Sequence, residues 1–412
     1  MSYLGIIAEY NPLHNGHLYH FNTSLDITQA KYSICIMSGN FVQRGEPAVI
    51  DKWSRTLAAL KAGFDLVLEL PVIYCTQSAE IFAYGAVSIL NSLNIVDYLS
   101  FGSECEDIDI LKKIAYVFAN EPEEYRDILR QEMDAGNSFA SSRANAFMKY
   151  IKGDFSYGDA DNIKSILQSS NNILALEYLK WLIRLKSPII PVSVKRIGPD
   201  YNDQNIQDGN FASALFLRET AKNHDWEILS HYMPPFSMDI LRQCINSGKA
   251  PVTVDNFTSA ILCKLRQMPL HEISSIIDVS EGLEYRIKKA ASQSGSISEL
   301  IHNIKSKRYT ETRIKRILLH SLLGMTKSSL TPPEYIRVLG FSEKGRQVIH
   351  KIKESCVLPV ITNMSDYKEY KDERFKKMVA MDILATDIYV TAYSKEQDRT
   401  GGCDFLKGPV MV

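Results

Sequence analysis

Along the first hundred residues, short apolar runs alternate with helical spacings. Leu4 to Ala8 is apolar without interruption, the pattern of a strand covered on both faces. Leu18, Phe21 and Leu25 then recur at helical spacing, which predicts a helix beginning near Gly16. Tyr32 to Met37 is a second strand. Asp51 is a predicted N-cap for a helix carrying Trp53, Leu57 and Leu60 on one face, with Gly63 near its end. Asp65 to Leu70 is a third strand, stopped by Pro71; Ile81 to Leu93 is helical, and Tyr98 to Phe101 is a fourth strand. Such alternation predicts an α/β fold, a Rossmann-like parallel sheet covered by helices. A ligand then sits beyond the carboxyl ends of the strands, where strand order reverses.

Further on the pattern changes. Residues 105–150 are helical and more charged, as an insertion would be. Asn162 to Leu185 predicts one long helix, Ile189 to Val194 a strand between Pro188 and Lys195, and Ser213 the cap of another helix. Met233-Pro234-Pro235 marks a boundary between a sheet-containing domain, residues 1–235, and a mainly helical C-terminal domain, residues 236–412. Helical patterns dominate to about residue 355, and the tail returns to shorter segments.

At 412 residues two domains are the natural expectation, and 45% hydrophobic with 23% charged residues suits a globular protein. The formal net charge is -1, so any nucleic-acid surface must be a local patch. The seven cysteines form no C-x-x-C pair and read as reduced thiols. With no signal-peptide pattern and no membrane-length apolar run, a cytoplasmic location and no membrane partner are expected.

The strongest chemical signal is Ala8-Glu9-Tyr10-Asn11-Pro12-Leu13-His14-Asn15-Gly16-His17, a strand running through a loop into a helix start. Gly16 allows close approach of backbone to a nucleotide. The helix N-terminus offers unpaired N–H groups and partial positive charge to phosphate. His14 and His17 can donate hydrogen bonds to phosphate oxygens as charge grows there. A metal pair or ordinary surface histidines are the bland alternatives, and the position directly after the first strand outweighs them. The arrangement resembles the HIGH-type nucleotidyltransferase and class I synthetase superfamily, whose members attack the α-phosphate of ATP and release pyrophosphate.

A second polar segment, Ser38-Gly39-Asn40-Phe41-Val42-Gln43-Arg44-Gly45-Glu46-Pro47 with Asp51 and Lys52, follows the second strand. Two cations beside two carboxylates at the ligand edge suit a substrate loop made of Ser38, Asn40, Gln43, Arg44, Glu46 and Lys52. Surface ion pairs are the alternative. Gly102, in Phe101-Gly102-Ser103-Glu104, either lets adenosine pack on the backbone or makes a tight turn. Asn171 and Asn172 either read the nucleotide or cap a helix. Arg196 follows the 189–194 strand, where a guanidinium meets phosphate.

These segments occur together and in this order in the bacterial tRNA(Met) cytidine acetate ligase family, which the chain resembles from Leu4 to about Arg218. The resemblance resumes at Lys307-Arg308-Tyr309-Thr310-Glu311-Thr312-Arg313-Ile314-Lys315-Arg316 and runs to Tyr335-Ile336-Arg337-Val338-Leu339-Gly340-Phe341. It implies activation of acetate by ATP as acetyl-adenylate, then acetylation of N4 of the wobble cytidine of elongator tRNA(Met). Carried over, the ATP site takes Ile7, Ala8, Glu9, Tyr10, Asn11, Pro12 and Leu13, then His14, Asn15, Gly16, His17, Leu18, Tyr19 and His20. Gly102, Arg196 and one of Asn171 and Asn172, with Asn171 favoured, complete it; His14 and His17 are its catalytic groups. The sequence departs from related enzymes at Ser213-Ala214-Leu215-Phe216-Leu217-Arg218, where Leu215 and Phe216 replace hydroxyl-bearing positions. ATP as substrate with accompanying Mg²⁺ is implied, with no dedicated protein metal site.

The basic stretch 305–316, read as one helix with an apolar face at Ile314, Ile317, Leu318 and Leu322, is the best tRNA track in a chain of near-zero charge. Lys307, Arg308, Arg313, Lys315 and Arg316 would carry it, and Lys344, Arg346, Lys351 and Lys353 could extend it. Without the resemblance a solvated helix face is the simpler reading. Two other functions remain open: an adenylyltransferase for a small phosphorylated metabolite, and a non-catalytic ATP-dependent RNA-binding protein.

Overall fold

The computed structural model describes residues 1–105, 107–152, 157, 159–197 and 211–412. Its strands are β1 (Tyr3–Ala8), β2 (Tyr32–Ser38), the two-residue β3 (Phe41–Val42) and β4 (Glu46–Pro47), β5 (Leu66–Leu70), β6 (Tyr98–Ser103), β7 (Ile190–Lys195), β8 (Ile336–Phe341), β9 (Val360–Ile361) and β10 (Val410–Met411). The main sheet runs β10-β8-β5-β2-β1-β6-β7, with β9 paired to β8. Every pairing in it is parallel except β5 with β8. The chain moves outward from β1 through β2 to β5, then returns to lay β6 and β7 on the other side. Strand order therefore reverses at β1, and the crevice beyond the carboxyl ends of β1 and β6 is the site expected for a ligand.

Both faces of the sheet are covered, as the unbroken apolar runs require. Ile34 and Ile36 enter one core with Leu66 and Leu68, whereas the alternate residues Cys35, Met37 and Val67 enter the other with Leu4 and Ile6. Helix α1 (Asn15–Thr28) and helix α2 (Lys52–Lys61, capped by Asp51 through Ser54 N–H at 2.9 Å) follow the first two long strands as expected.

Three expectations need correction. The helix expected over 162–185 is two, Ala160–Gln168 and Ser170–Arg184, because Ser169 is extended (φ -75°, ψ 133°). Helices dominate 236–355, but the strand β8 lies among them, paired antiparallel with β5, and the tail expected in shorter segments carries an 18-residue helix, Glu373–Val390. The basic stretch 305–316 is not one helix, since the helix there, Glu311–Leu323, starts only after Thr310. Residues on both sides of position 235 thus share one sheet. No helix among the described residues is long and apolar enough to cross a membrane.

Candidate nucleotide site

The chain leaves β1 through Tyr10, a non-glycine residue in the left-handed region (φ 47°). Such backbone clusters at functional sites. It then enters α1 with His14 as N-cap. His14 Nδ1 accepts the Gly16 N–H at 3.1 Å, and His17 Nδ1 accepts the His14 N–H at 3.2 Å, a reciprocal capping box made by two imidazoles. The rings stack with centroids 3.7 Å apart, and Tyr10 meets His17 edge-on at 5.0 Å. A neutral imidazole that accepts at Nδ1 carries its proton on Nε2, so each ring keeps an Nε2–H donor. Gly16 suits this packing, because a Cβ there would stand 3.0 Å from the His14 ring, tighter than an ordinary contact.

Burial, reinforced by the charges of Arg196 and Arg218, pushes His14 down to about 3. His17 lies well below its usual range for the same first reason, with His14, Arg196 and His20 adding to it. Burial takes His20 down to about 4, while its Nε2 lies 3.1 Å from Ser100 Oγ. All three rings are therefore neutral near pH 7, and the Nε2–H donors of His14 and His17 suit charge that appears only when a phosphate reacts.

These groups line a cavity of about 410 Å³. Of the stretch from Ile7 to His20, the cavity walls take Ile7, Ala8, Glu9, Tyr10, Asn11, His14, Gly16, His17, Tyr19 and His20, leaving Pro12, Leu13, Asn15 and Leu18 behind them. Asn15 Nδ2 reaches the carbonyl of His231 at 3.0 Å. Gly102 lies within β6, not in a turn, and a Cβ on it would meet no protein atom within 4 Å. Its missing side chain widens the cavity. Arg196 and Arg218 also line it, Arg218 donating to the Asn11 carbonyl at 3.1 Å. Ser213 instead caps the helix Ala214–Lys222, accepting the Phe216 N–H at 3.1 Å.

The two asparagines separate cleanly. Asn171 faces the cavity and donates to Glu104 Oε1 at 2.6 Å. Asn172 is buried, and its Oδ1 accepts from Ser103 Oγ (2.7 Å), Glu104 N (2.9 Å) and Cys105 N (3.2 Å). Neither caps the helix; Ser169 stands at the cap position, and Glu104 Oε2 accepts the Asn172 N–H at 2.9 Å.

The segment after β2 splits in a similar way. Gln43 and Arg44 line the cavity, and Gln43 N–H donates to Glu9 Oε1 at 2.7 Å. Glu46 bridges Lys315 (3.0 Å) and Arg218 (3.6 Å). Ser38 and Asn40 are buried, and Asn40 Oδ1 accepts the Lys52 N–H at 2.8 Å. Lys52 is fully buried, 2.8 Å from both Glu69 and Asp404; Arg337 contacts the same two carboxylates at 3.1 and 2.6 Å. Ser38, Asn40 and Lys52 therefore support the loop from below and are absent from the cavity walls.

Arg55 was not picked out from the sequence. Fully buried in α2, it donates to the carbonyls of Glu9 (2.7 Å), Ser38 (3.0 Å), Gly39 and Ile50 (3.2 Å), tying the ends of β1 and β2 together. Its one signal is a cation beside Trp53 and Leu60 in an otherwise apolar helical face.

The basic stretch divides as well. Lys307 and Arg308 are exposed, Arg308 pairing with Glu281 at 2.6 Å. Arg313 donates to the Asp278 carbonyl (2.7 Å), Arg316 pairs with the Asp278 carboxylate (2.9 Å), and Lys315 is held by Glu46 and Glu311. Thr312 and Arg316 reach the cavity itself. Gly45 permits this contact, since a Cβ on it would lie 2.4 Å from Arg316 N. Lys344, Arg346, Lys351 and Lys353 lie on the helix Glu343–Ser355, which packs over β2, β5 and β8.

Residues 1–403 match the family model for HIGH nucleotidyl transferases. A tRNA(Met) cytidine acetate ligase of Thermoanaerobacter sp. (strain X514) is 47% identical over 98% of this chain and 98% of its own. One from Acetivibrio thermocellus is 43% identical over the full length of both chains. The crystal structure of apo Thermotoga maritima TmcAL, 36% identical, superposes with a TM-score of 0.95 over 100% of each chain. The same protein bound with alpha-thio ATP superposes with a TM-score of 0.94 over the same coverage. With its histidine pair at the crevice where the strand order turns, the chain belongs to the tRNA(Met) cytidine acetate ligase family of HIGH nucleotidyl transferases.

Proposed function

We propose that this protein is an ATP-dependent tRNA(Met) cytidine acetate ligase. It activates acetate as acetyl-adenylate and transfers the acetyl group to N4 of the wobble cytidine of elongator tRNA(Met). The observation that carries this reading is the stacked, neutral His14–His17 pair at the N-terminus of α1, opposite Arg196 and Arg218 in one cavity. An acetate oxygen attacks the α-phosphorus, and pyrophosphate departs. Negative charge on the phosphate oxygens then meets the two Nε2–H donors, the helix N-terminus and the guanidinium groups, all positioned before the reaction begins. Gly102 and Asn171 line the same cavity as the histidines, which supports their role in receiving the nucleoside.

The described residues hold no cluster of three His, Cys, Asp or Glu side chains able to bind a metal. Mg²⁺ would then be held by the ATP phosphates and water, where it neutralises the leaving pyrophosphate. Acetate offers little binding energy of its own, so positioning comes from ATP and tRNA. Residues 236–412 contribute to the tRNA surface through exposed Lys307 and Arg308, with Arg313, Lys315 and Arg316 joining that stretch to the cavity. With tRNA and ATP as its substrates, the enzyme works in the cytoplasm.

The test incubates enzyme, ATP, labelled acetate and unmodified elongator tRNA(Met), followed by digestion to nucleosides. Label in N4-acetylcytidine is the expected result. Acetate-dependent pyrophosphate exchange with no label entering the RNA would overturn the tRNA step while leaving the activation step standing.

A further inference from the structure

The cavity that holds the histidines is also lined by Glu9, Gln43, Arg44, Arg218, Thr312 and Arg316. Glu9 is the carboxylate of that group, and three features set it apart. Its backbone carbonyl is held by Arg55 Nη1 at 2.7 Å, so the end of β1 cannot drift. Its Oε1 is fixed by the Gln43 N–H at 2.7 Å. Among the described residues its Oε2 has no hydrogen-bond partner. A carboxylate fixed by one oxygen, with the other uncommitted in a reaction cavity, is placed to receive a proton.

The transfer half of the reaction needs such a group. The cytidine N4 attacks the acetyl carbonyl, a C–N bond forms, and the C–O bond to the adenylate phosphate breaks, with AMP keeping that electron pair. N4 must shed one proton. The histidines are poorly suited to take it, because each uses Nδ1 in the helix cap and presents a proton on Nε2. We propose that Glu9 accepts this proton through Oε2 and passes it to solvent, making it the general base of acetyl transfer; the idea rests on the tRNA acetylation reading above.

The surroundings agree with this role. Burial raises the Glu9 carboxyl above its ordinary range, which makes it a stronger base than an exposed carboxylate; the Gln43 N–H, Arg218, Arg55 and Arg44 work against that rise without cancelling it. Tyr178, from the helix Ser170–Arg184, also feels its charge.

The test supplies preformed acetyl-adenylate and unmodified tRNA to wild type, Glu9→Gln and Glu9→Asp, and follows single-turnover acetylation against pH. Acetate-dependent pyrophosphate exchange is measured beside it. Glu9→Gln still offers an oxygen to the Gln43 N–H but cannot take a proton. We expect its transfer rate to fall about 100-fold or more, at least about tenfold further than exchange, with the decline of rate toward acid pH removed. Glu9→Asp, which keeps a carboxylate on a shorter arm, should slow transfer about tenfold and retain that decline; it decides the matter if the glutamine variant does not fold. Equal losses in exchange and transfer, or transfer at the wild-type rate, would overturn the role of Glu9 alone. Failure of wild type itself to use acetyl-adenylate would overturn the acetylation reading as well.

Discussion

Two polar clusters lie side by side at the carboxyl edge of this sheet, and they differ in where their hydrogen bonds end. In the cavity, His14, His17 and Glu9 line space that a nucleotide and acyl group would fill, the histidines with an Nε2–H each and Glu9 with Oε2. Beneath it, Lys52, Glu69, Arg337 and Asp404 form two cations and two carboxylates that answer one another within 3.1 Å. Both come from motif-rich segments and both look like chemistry in one dimension. Only the first lines a cavity; the second is buried. The second joins α2 and β5 to β8 and the C-terminal tail, with Asp404 held below its usual range by Lys52 and Arg337 despite burial.

The comparison breaks most visibly if the buried cluster is unbalanced. Asp404→Asn removes one of two negative charges facing Lys52 and Arg337. It should cost about 3–5 kcal/mol of stability, the usual consequence of stranding a buried charge. Urea unfolding measures this, and pyrophosphate exchange per folded molecule should stay within about twofold. A stable but inactive variant would place the cluster in the catalytic machinery after all. His17→Ala is the converse. Exchange should fall about 10²–10³-fold, the loss expected on removing one preorganised donor, and unfolding should move far less. An unfolding change as large as that of Asp404→Asn would make His17 a structural cap first.

The strand–helix alternation, the crevice at the strand reversal and the His14–His17 loop were all legible, because each is local: an apolar run, a cap, a histidine spacing. What was not legible depends on distant partners. Nothing near Lys52 in the chain announces Asp404, 352 positions on, so a charged loop lysine read as ligand-facing. The antiparallel strand β8 was lost among helical patterns because it is only six residues long and its pairing partner, β5, lies over 260 residues earlier. Ser169 broke a helix that periodicity alone joined, since apolar spacing continues across it. The tail helix Glu373–Val390 was legible in principle: Phe375, Met378, Val379 and Thr386 recur on one buried face.

The histidines also separate the clusters by pH. His14 and His20 titrate at about 3 and about 4 in the folded protein and near 6.5 when unfolded. Above about pH 6.5 both states are neutral and these groups cost nothing. Below it the unfolded chain binds protons that the folded chain refuses, so stability falls by up to about 1.4 kcal/mol per pH unit for each ring. That loss ends near pH 4 for His20 and near pH 3 for His14. Unfolding at pH 7, 6 and 5 should follow this slope, and His20→Gln should make it shallower. An unchanged slope would mean that burial of the ring is not what governs it.

The smallest effects come from Asn171 and Asn172, neighbours that test the same distinction within one helix turn. Asn171 lines the cavity, whereas Asn172 collects three hydrogen bonds beneath it. Removing the Asn172 amide takes the acceptor from the Ser103 hydroxyl and the Glu104 N–H, while the Cys105 N–H keeps Ser103 Oγ at 3.0 Å, so Asn172→Ala should lose about 1–3 kcal/mol of stability. KM for ATP would then change chiefly through any disturbance of Glu104. Asn171→Ala leaves only Glu104 Oε1 short of a partner, at a position solvent can reach, so its stability should move by less than about 1 kcal/mol. Its KM for ATP should rise about tenfold, the value of one hydrogen bond to the bound nucleoside. If the two variants exchange these signatures, Asn172 is the nucleotide contact, and the buried position seen here belongs to a form that ATP rearranges.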